Sequence, residues 1–254
     1  MKPPAGTISI AGKQVSRVGL GTMRLTGPGT WGDPADVGAA AALLRDAIHE
    51  HGITHIDTAD AYGPHTVEHL IRSVLHPYPD RLLVATKVGM LRTGPNEWTP
   101  HGHPAYLRAS VEGSLRRLGV DCLDLCYLHR NDSRVPFLDQ VGTLAALQKE
   151  GKVAHVGLSK VTTAEIDLAA TVITVAAVQN KLSQALPDDA RTAEYCRGEG
   201  IPYIPYAPLG AGALAQDGGA HKALRWLLDL GENVAPIPGT SNPDHLRELV
   251  NGLS

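Results

Sequence analysis

Short runs of consecutive apolar residues recur along the chain, separated by longer stretches patterned as helix. The strand-like runs are Arg17–Thr22, Ile53–Thr58, Leu82–Lys87, Cys122–His129, Val153–Ser159, Val175–Asn180, Ile201–Tyr206 and Val234–Pro238. Ahead of them, Thr7 to Ser16 reads as a small hairpin turning at Ala11-Gly12-Lys13. An alanine-rich helix is expected from about Asp36 to His51, and Pro104 opens another. Thr162-Thr163-Ala164-Glu165 has the form of a capping box, with a hydroxyl and a carboxylate three residues apart. Gly52, Gly119, Gly151 and Gly200 each follow a helical pattern, where a left-handed residue ends a helix cheaply.

The runs are continuously apolar rather than alternating, as parallel strands covered on both faces must be. Eight strand-plus-helix units in 254 residues match a (β/α)8 barrel. A doubly wound sheet uses fewer units and a glycine-rich turn after its first strand. The expected fold is therefore α/β, one barrel domain over residues 17–252 with an N-terminal hairpin over 6–16.

Composition narrows the class. Hydrophobic residues make up 43% and charged ones 19%, with 23 basic against 26 acidic side chains. The net charge of -3 gives no electrostatic reason to expect nucleic acid or an anionic membrane as partner. No apolar run approaches the roughly 20 residues of a membrane span, and the N-terminus lacks a signal-peptide core. Three cysteines, Cys122, Cys126 and Cys196, make neither a CxxC pair nor an even disulfide set. A cytoplasmic setting follows as the expectation; oligomeric state is not readable.

In a barrel, function gathers where the strands end. The second run ends in Asp57 with Tyr62 just beyond, the third in Lys87, the fourth in His129, and the fifth in Ser159 and Lys160. The sixth ends in Gln179-Asn180, the seventh in Tyr206-Ala207-Pro208, and the eighth in Pro238-Gly239-Thr240-Ser241. An ammonium beside a tyrosine favours the phenolate, a carboxylate behind holds the ammonium, and a histidine orients a carbonyl oxygen. Asp57, Tyr62, Lys87 and His129 thus suit protonation of a carbonyl oxygen while its carbon receives a nucleophile. Singly each has a bland use, as loop tie, rim charge or wall residue.

These residues stand in a text that resembles the aldo-keto reductase superfamily. It comprises Gly52-Ile-Thr-His-Ile-Asp57-Thr-Ala-Asp-Ala-Tyr62-Gly63, Ala85-Thr86-Lys87, and Leu123-Asp-Leu-Cys-Tyr-Leu-His129-Arg130. It continues with Gly157-Leu-Ser159, Val178-Gln179-Asn180, Tyr206-Ala-Pro-Leu-Gly210, Ile237-Pro-Gly-Thr240, and Ser114-Leu115-Arg116-Arg117-Leu118-Gly119. The resemblance implies an oxidoreductase that reduces an aldehyde or ketone, with Tyr62 as general acid, Lys87 and Asp57 tuning it, and His129 positioning the carbonyl. It implies NADPH, with NADH as the alternative. Thr22 and Met23 would underlie the nicotinamide ribose, Ser159 and Gln179 hold the carboxamide, and Tyr206 stack on the ring. Ala207, Pro208, Leu209, Gly210 and Gly212 would follow the pyrophosphate. Pro238, Gly239, Thr240, Ser241 and His245 would meet the adenosine end, where a helix N-terminus attracts phosphate.

The chain departs from the family at several points. Lys160 replaces the usual Asn beside Ser159, bringing a further positive charge to the site. His245 stands for an Arg facing the 2′-phosphate, and Leu249 for an Asn near the adenine. The segment Gly210–Pro236 is short, and the sequence ends at Ser254 without the tail that often walls the pocket. An open site with weaker cofactor retention is expected. Trp31 and Trp98 lie in mouth loops and are candidates, with Arg24, Tyr62 and His129, to meet the small-molecule carbonyl substrate. Gly210-Ala-Gly212-Ala-Leu-Ala215 imitates a dinucleotide fingerprint but comes too late in the chain for a nucleotide half-domain. His49, His51, His55, His101 and His103 read as surface histidines with no metal site, and Cys122 and Cys126 as packed core thiols. Two other readings stay open: a Schiff base on Lys87, making an aldolase or lyase, and a non-catalytic regulatory barrel.

Overall fold

The computed structural model describes residues 3–214 and 219–253. Strands β1 (Thr7–Ile10) and β2 (Lys13–Ser16) pair antiparallel, with Ile10 opposite Lys13. Ala11 at φ 50° and Gly12 at φ 74° make the two-residue turn, the left-handed pair that matches strand twist. The chain then alternates: β3 (Leu20–Gly21), α1 (Val37–His49), β4 (His55–Asp57), α2 (Thr66–Leu75) and β5 (Leu83–Val88). A small hairpin, β6 (Met90–Leu91) with β7 (Thr99–Pro100), precedes α3 (Pro104–Leu118). There follow β8 (Leu123–Leu128), α4 (Phe137–Lys149), β9 (Val153–Ser159), α5 (Thr163–Ala170), β10 (Val175–Gln179), α6 (Ala190–Gly198), α7 (Gly219–Asp229) and α8 (Pro243–Asn251).

The local signals act as their chemistry requires. Asp36 caps α1 by accepting from Ala39 N at 2.8 Å, and Thr162 with Glu165 closes both halves of a capping box on α5. Gly52, Gly119, Gly151 and Gly200 all sit at φ between 66° and 76°. The β6–β7 hairpin had no counterpart among the expected elements; it is two residues per strand, too short to leave a periodic trace.

Six parallel strands run in the order β10-β9-β8-β5-β4-β3. The seventh and eighth expected strands appear as single bridges, Val178 with Tyr203, Lys181 with Tyr206 and Tyr203 with Val234. Proline is the reason. Pro202, Pro205, Pro236 and Pro238 have no N–H, so a continuous ladder is impossible. The remaining donors still close the ring. Ile204 N reaches Val178 O, Ala235 N reaches Tyr203 O, and Ile237 N reaches Pro205 O. Gly19 N and Gly21 N then reach Pro236 O and Pro238 O, joining the eighth strand to the first. The fold is a (β/α)8 barrel with an N-terminal hairpin, as the pattern predicted.

Two apolar layers hold it. Leu83, Ala85, Leu125, Tyr127, Ala177, Ile204, Ala235 and Ile237 fill the barrel interior together with Ile10 and Val15 of the hairpin. The outward strand residues, among them Ile56, Val84, Val156 and Leu158, pack beneath the helices. Lys13 Nζ ties the hairpin to Asp124 and to Leu82 O, both at 2.8 Å, at the starts of their strands. The hairpin therefore plugs the N-terminal end, and chemistry is left to the opposite mouth.

Two expectations fail here. His55 is fully buried in β4, not a surface residue; it lies two residues from Asp57, so strand alternation turns both inward. Burial lowers its pKa to about 4, so the imidazole is neutral. Cys122 is exposed, because β8 begins one residue later, while Cys126 is buried. Leu249, which stands where the family often has an Asn, packs into the helical layer at 3% exposure. Ala215, part of the fingerprint-like stretch, and the terminal residues Met1, Lys2 and Ser254 lie outside the described residues.

Candidate active site

Four strand ends bring the central groups together. Thr22, just after β3, donates its hydroxyl to Asp57 O at 2.8 Å and pins the end of β4. Asp57 Oδ2 accepts from Lys87 Nζ at 2.6 Å, and its Oδ1 accepts from Gln179 Nε2 at 2.7 Å. Lys87 Nζ also donates to Thr58 O at 2.8 Å and to the Tyr62 hydroxyl at 3.3 Å. The ammonium is thereby fully committed to three oxygens. Asp57, Lys87 and Gln179 are all at most 2% exposed.

Burial and charge compete in this cluster. Burial alone would lower the Lys87 pKa, but the Asp57 carboxylate and Tyr62 outweigh it and raise it. For Tyr62 burial is the largest influence and raises the phenol, with Lys87 pulling the other way. The ammonium does pull the tyrosine down, as expected, but burial outweighs it in the resting state. His129 lies edge-on to Tyr62, with ring centroids 6.2 Å apart. Burial first, then Lys87, Arg130 and Arg92, push it well below the usual histidine range. Its Nδ1 is buried without a hydrogen-bond partner.

The loop carrying Tyr62 rests on a second buried charge cluster. Glu68 on α2 accepts from Thr86 Oγ1 and from Arg117 Nε, each at 2.6 Å. Asp60 is also buried, and burial followed by the Glu68 charge raises its pKa well above normal, against the pull of Arg117. The Ser114–Gly119 motif of the sequence therefore supplies a cation beneath the site.

The remaining candidates line the rest of the mouth. Ser159 is buried, while Tyr206 is half-buried with the Arg130 guanidinium 5.7 Å from its ring. Asn180 is committed to the loop after β9, bonding Val161 N at 3.0 Å and Val161 O at 2.7 Å. Lys160 in that loop is exposed at φ 55°, a left-handed conformation that Asn tolerates better than lysine. Met23 and Arg24 are exposed, and a Cβ placed on Gly239 would lie 3.7 Å from Arg24 Cγ, so the arginine stem runs beside the turn after the last strand. Ala207, Pro208 and Leu209 lead into a short 3-10 turn, Gly210–Gly212. Thr240 is buried, and its hydroxyl accepts from Asn242 N at 3.0 Å at the start of α8; Ser241 and His245 are exposed. Among the described residues no group of three or more His, Cys, Asp or Glu is arranged to hold a metal, and no helix is long and apolar enough to cross a membrane.

One participant escaped the sequence reading. Arg92, 8% exposed, stacks 3.6 Å from the Trp98 ring centroid and 5.7 Å from that of Trp31. Trp98 in turn stands edge-on to His129 at 6.4 Å. Arg92 follows a strand that was not expected, so nothing in the pattern marked it.

Comparison with known proteins agrees with this geometry. The aldo/keto reductase family profile matches residues 17–222. The chain belongs to the aldo/keto reductase family. It is an oxidoreductase of that family, and α8 completes the barrel beyond the matched span. An uncharacterized oxidoreductase of Schizosaccharomyces pombe is 44% identical over 97% of this chain and 84% of its own length. Pyridoxine 4-dehydrogenase of Escherichia coli is 37% identical over 96% of this chain and 91% of its own. Among solved structures, a glycerol dehydrogenase from Gluconobacter oxydans superposes with TM-score 0.88 at 25% identity, covering 98% of this chain and 90% of that one. An aldo-keto reductase from Klebsiella pneumoniae, solved in complex with NADPH, has the same fold with TM-score 0.79 at 24% identity, covering 100% and 90%.

Proposed function

We propose that this protein reduces an aldehyde or ketone to the alcohol, with NADPH as the reductant. The observation that carries the reading is a buried Tyr62 phenol held protonated 3.3 Å from a Lys87 ammonium. A protonated phenol is the form a general acid requires. As Tyr62 gives its proton to the carbonyl oxygen, the nascent phenolate lies beside Lys87, whose charge is anchored by Asp57. His129, neutral through burial, has an N–H to donate to the same oxygen and sets where it sits.

The residues present fit a nicotinamide dinucleotide. Gln179 uses its amide nitrogen on Asp57, which leaves its carbonyl oxygen as an acceptor for a carboxamide, and Ser159 beside it offers a hydroxyl. Tyr206 supplies an aromatic face. Thr22 and Met23 would floor the ribose. Leu209, Gly210 and Gly212 with the preceding Ala207 and Pro208 would flank the pyrophosphate. Pro238, Gly239, Thr240, Ser241 and His245 would take the adenosine end. When bound, NADPH supplies hydride to the carbonyl carbon. The alternative Schiff-base use of Lys87 is disfavoured: that chemistry wants a lysine whose pKa is lowered, and here it is raised.

Tyr62→Phe tests the proposal. The variant should retain NADPH binding, followed by tryptophan fluorescence, and lose about 10²–10⁴ in kcat. Pyridoxine and its aldehyde belong in the first substrate panel, given the name of the E. coli relative. Unchanged NADPH consumption by Tyr62→Phe, or tighter binding of NADH than NADPH, would refute the corresponding half of the reading.

A further inference from the structure

The guanidinium of Arg92 has five N–H groups, and all five are in use. Nε donates to Glu97 O at 2.7 Å. Nη1 donates to Thr30 O at 3.0 Å and Ala61 O at 2.8 Å; Nη2 donates to Gly29 O at 3.0 Å and Gly94 O at 3.3 Å. Three separate segments are thus gathered by one side chain: the loop after β3, the residue preceding Tyr62, and the β6–β7 hairpin loop. All its acceptors are neutral carbonyls. With no donor free, Arg92 has nothing to offer a substrate anion, and its effect is exerted on the wall it holds.

The backbone it holds is strained at one point. Thr30 has φ 56°, a left-handed conformation that is costly for a β-branched residue, whereas the neighbouring Gly29 takes φ 70° freely. Such strain persists only where the surroundings over-determine it, and it concentrates at ligand-binding sites. Trp31 follows this strained residue directly, and Trp98 follows the Glu97 whose carbonyl Arg92 binds. Both indoles then flank the guanidinium plane, a stacking that lysine cannot reproduce.

We propose that Arg92 is a positioning residue: by binding five carbonyls between Trp31 and Trp98 it makes three loops into one rigid wall beside His129, and that wall selects flat aromatic carbonyl compounds over small aliphatic ones. The proposal rests on the reductase reading above for its kinetic test, and has a binding test that does not. Tyr62 keeps independent supports, namely Lys87 and backbone bonds to Ala59 and Val67. Loss of the wall should therefore act on KM.

Benzaldehyde and propanal serve as the probes. Arg92→Gln, and Arg92→Lys, which keeps the charge and three donors, should raise KM for benzaldehyde by about tenfold or more. Propanal KM should move by less than about twofold, with kcat nearly constant and NADPH affinity unchanged. Trp98→Ala, which leaves the five bonds of Arg92 intact, should show the same aromatic loss, and the double variant should be no worse than either single. Equal losses for both aldehydes, a parallel loss of NADPH affinity, or a Trp98→Ala variant with wild-type benzaldehyde KM would overturn the proposal. Should the wild type fail to oxidise NADPH with any carbonyl offered, the reductase reading falls. The wall is then judged by benzaldehyde quenching of tryptophan fluorescence in a Trp226→Phe background. A saturable quench weakened about tenfold by Arg92→Lys supports it, and identical curves overturn it.

Discussion

Replacing Asp57 by Asn leaves the shape of the site intact and removes one charge. In the folded protein that charge lies 2.6 Å from Lys87 Nζ, with both side chains at most 3% exposed. Breaking a buried pair by removing one partner costs about 3–5 kcal/mol, because the other charge stays desolvated. Lys87 has one escape, which is to lose its proton. With Asp57 gone, burial is left as the dominant influence on Lys87 and should carry its pKa below the ordinary 10.5, which favours the neutral amine. The pH dependence follows. In the wild type the folded pKa is raised, so the ion pair's stabilisation is fully present below 10.5 and is lost only as pH rises through the folded value. In Asp57→Asn the folded pKa is depressed, the unfolded chain binds more protons, and stability should rise with pH up to 10.5, by at most about 1.4 kcal/mol per unit. Urea denaturation of both proteins from pH 6 to pH 9 measures this. A deficit of about 3 kcal/mol at low pH that narrows with rising pH is expected. A deficit below about 1 kcal/mol, or one independent of pH, would refute the claim that Asp57 keeps Lys87 charged.

Two other substitutions probe the supports of the site. Arg117→Met should destabilise by about 3–5 kcal/mol, since Glu68 is fully buried and would lose its cation, and Glu68→Gln in the same chain should recover part of the loss in a denaturant titration. Lys160→Asn should stabilise the chain by about 0.5–1 kcal/mol, because Asn tolerates φ 55° better than Lys; an unchanged urea midpoint would show that the loop relaxes in solution.

The helical caps were legible because they are local. Thr162 and Glu165 close a box within four residues, and a glycine at φ near 70° needs only its own missing Cβ. The barrel was legible because its strands are apolar on both faces, and this held even where prolines broke the ladder at Pro202, Pro205, Pro236 and Pro238. The residue types of the site were likewise readable, since strands of a barrel deliver their last residues to one mouth. Three things were not. The protonated state of Tyr62 depends on how deeply it is buried relative to its distance from Lys87, a balance that no spacing encodes. His55 looked like one of several histidines along the surface until strand alternation placed it inside. Arg92 is joined to Thr30, Ala61 and Glu97, partners 62, 31 and 5 residues away, and the pattern along the chain gives no hint that they meet. Sequence alone thus determined which groups reach the mouth, through periodicity and local caps. Tertiary structure alone decided how they are charged and what holds their walls, because desolvation and long-range hydrogen bonds exist only once the ring has closed.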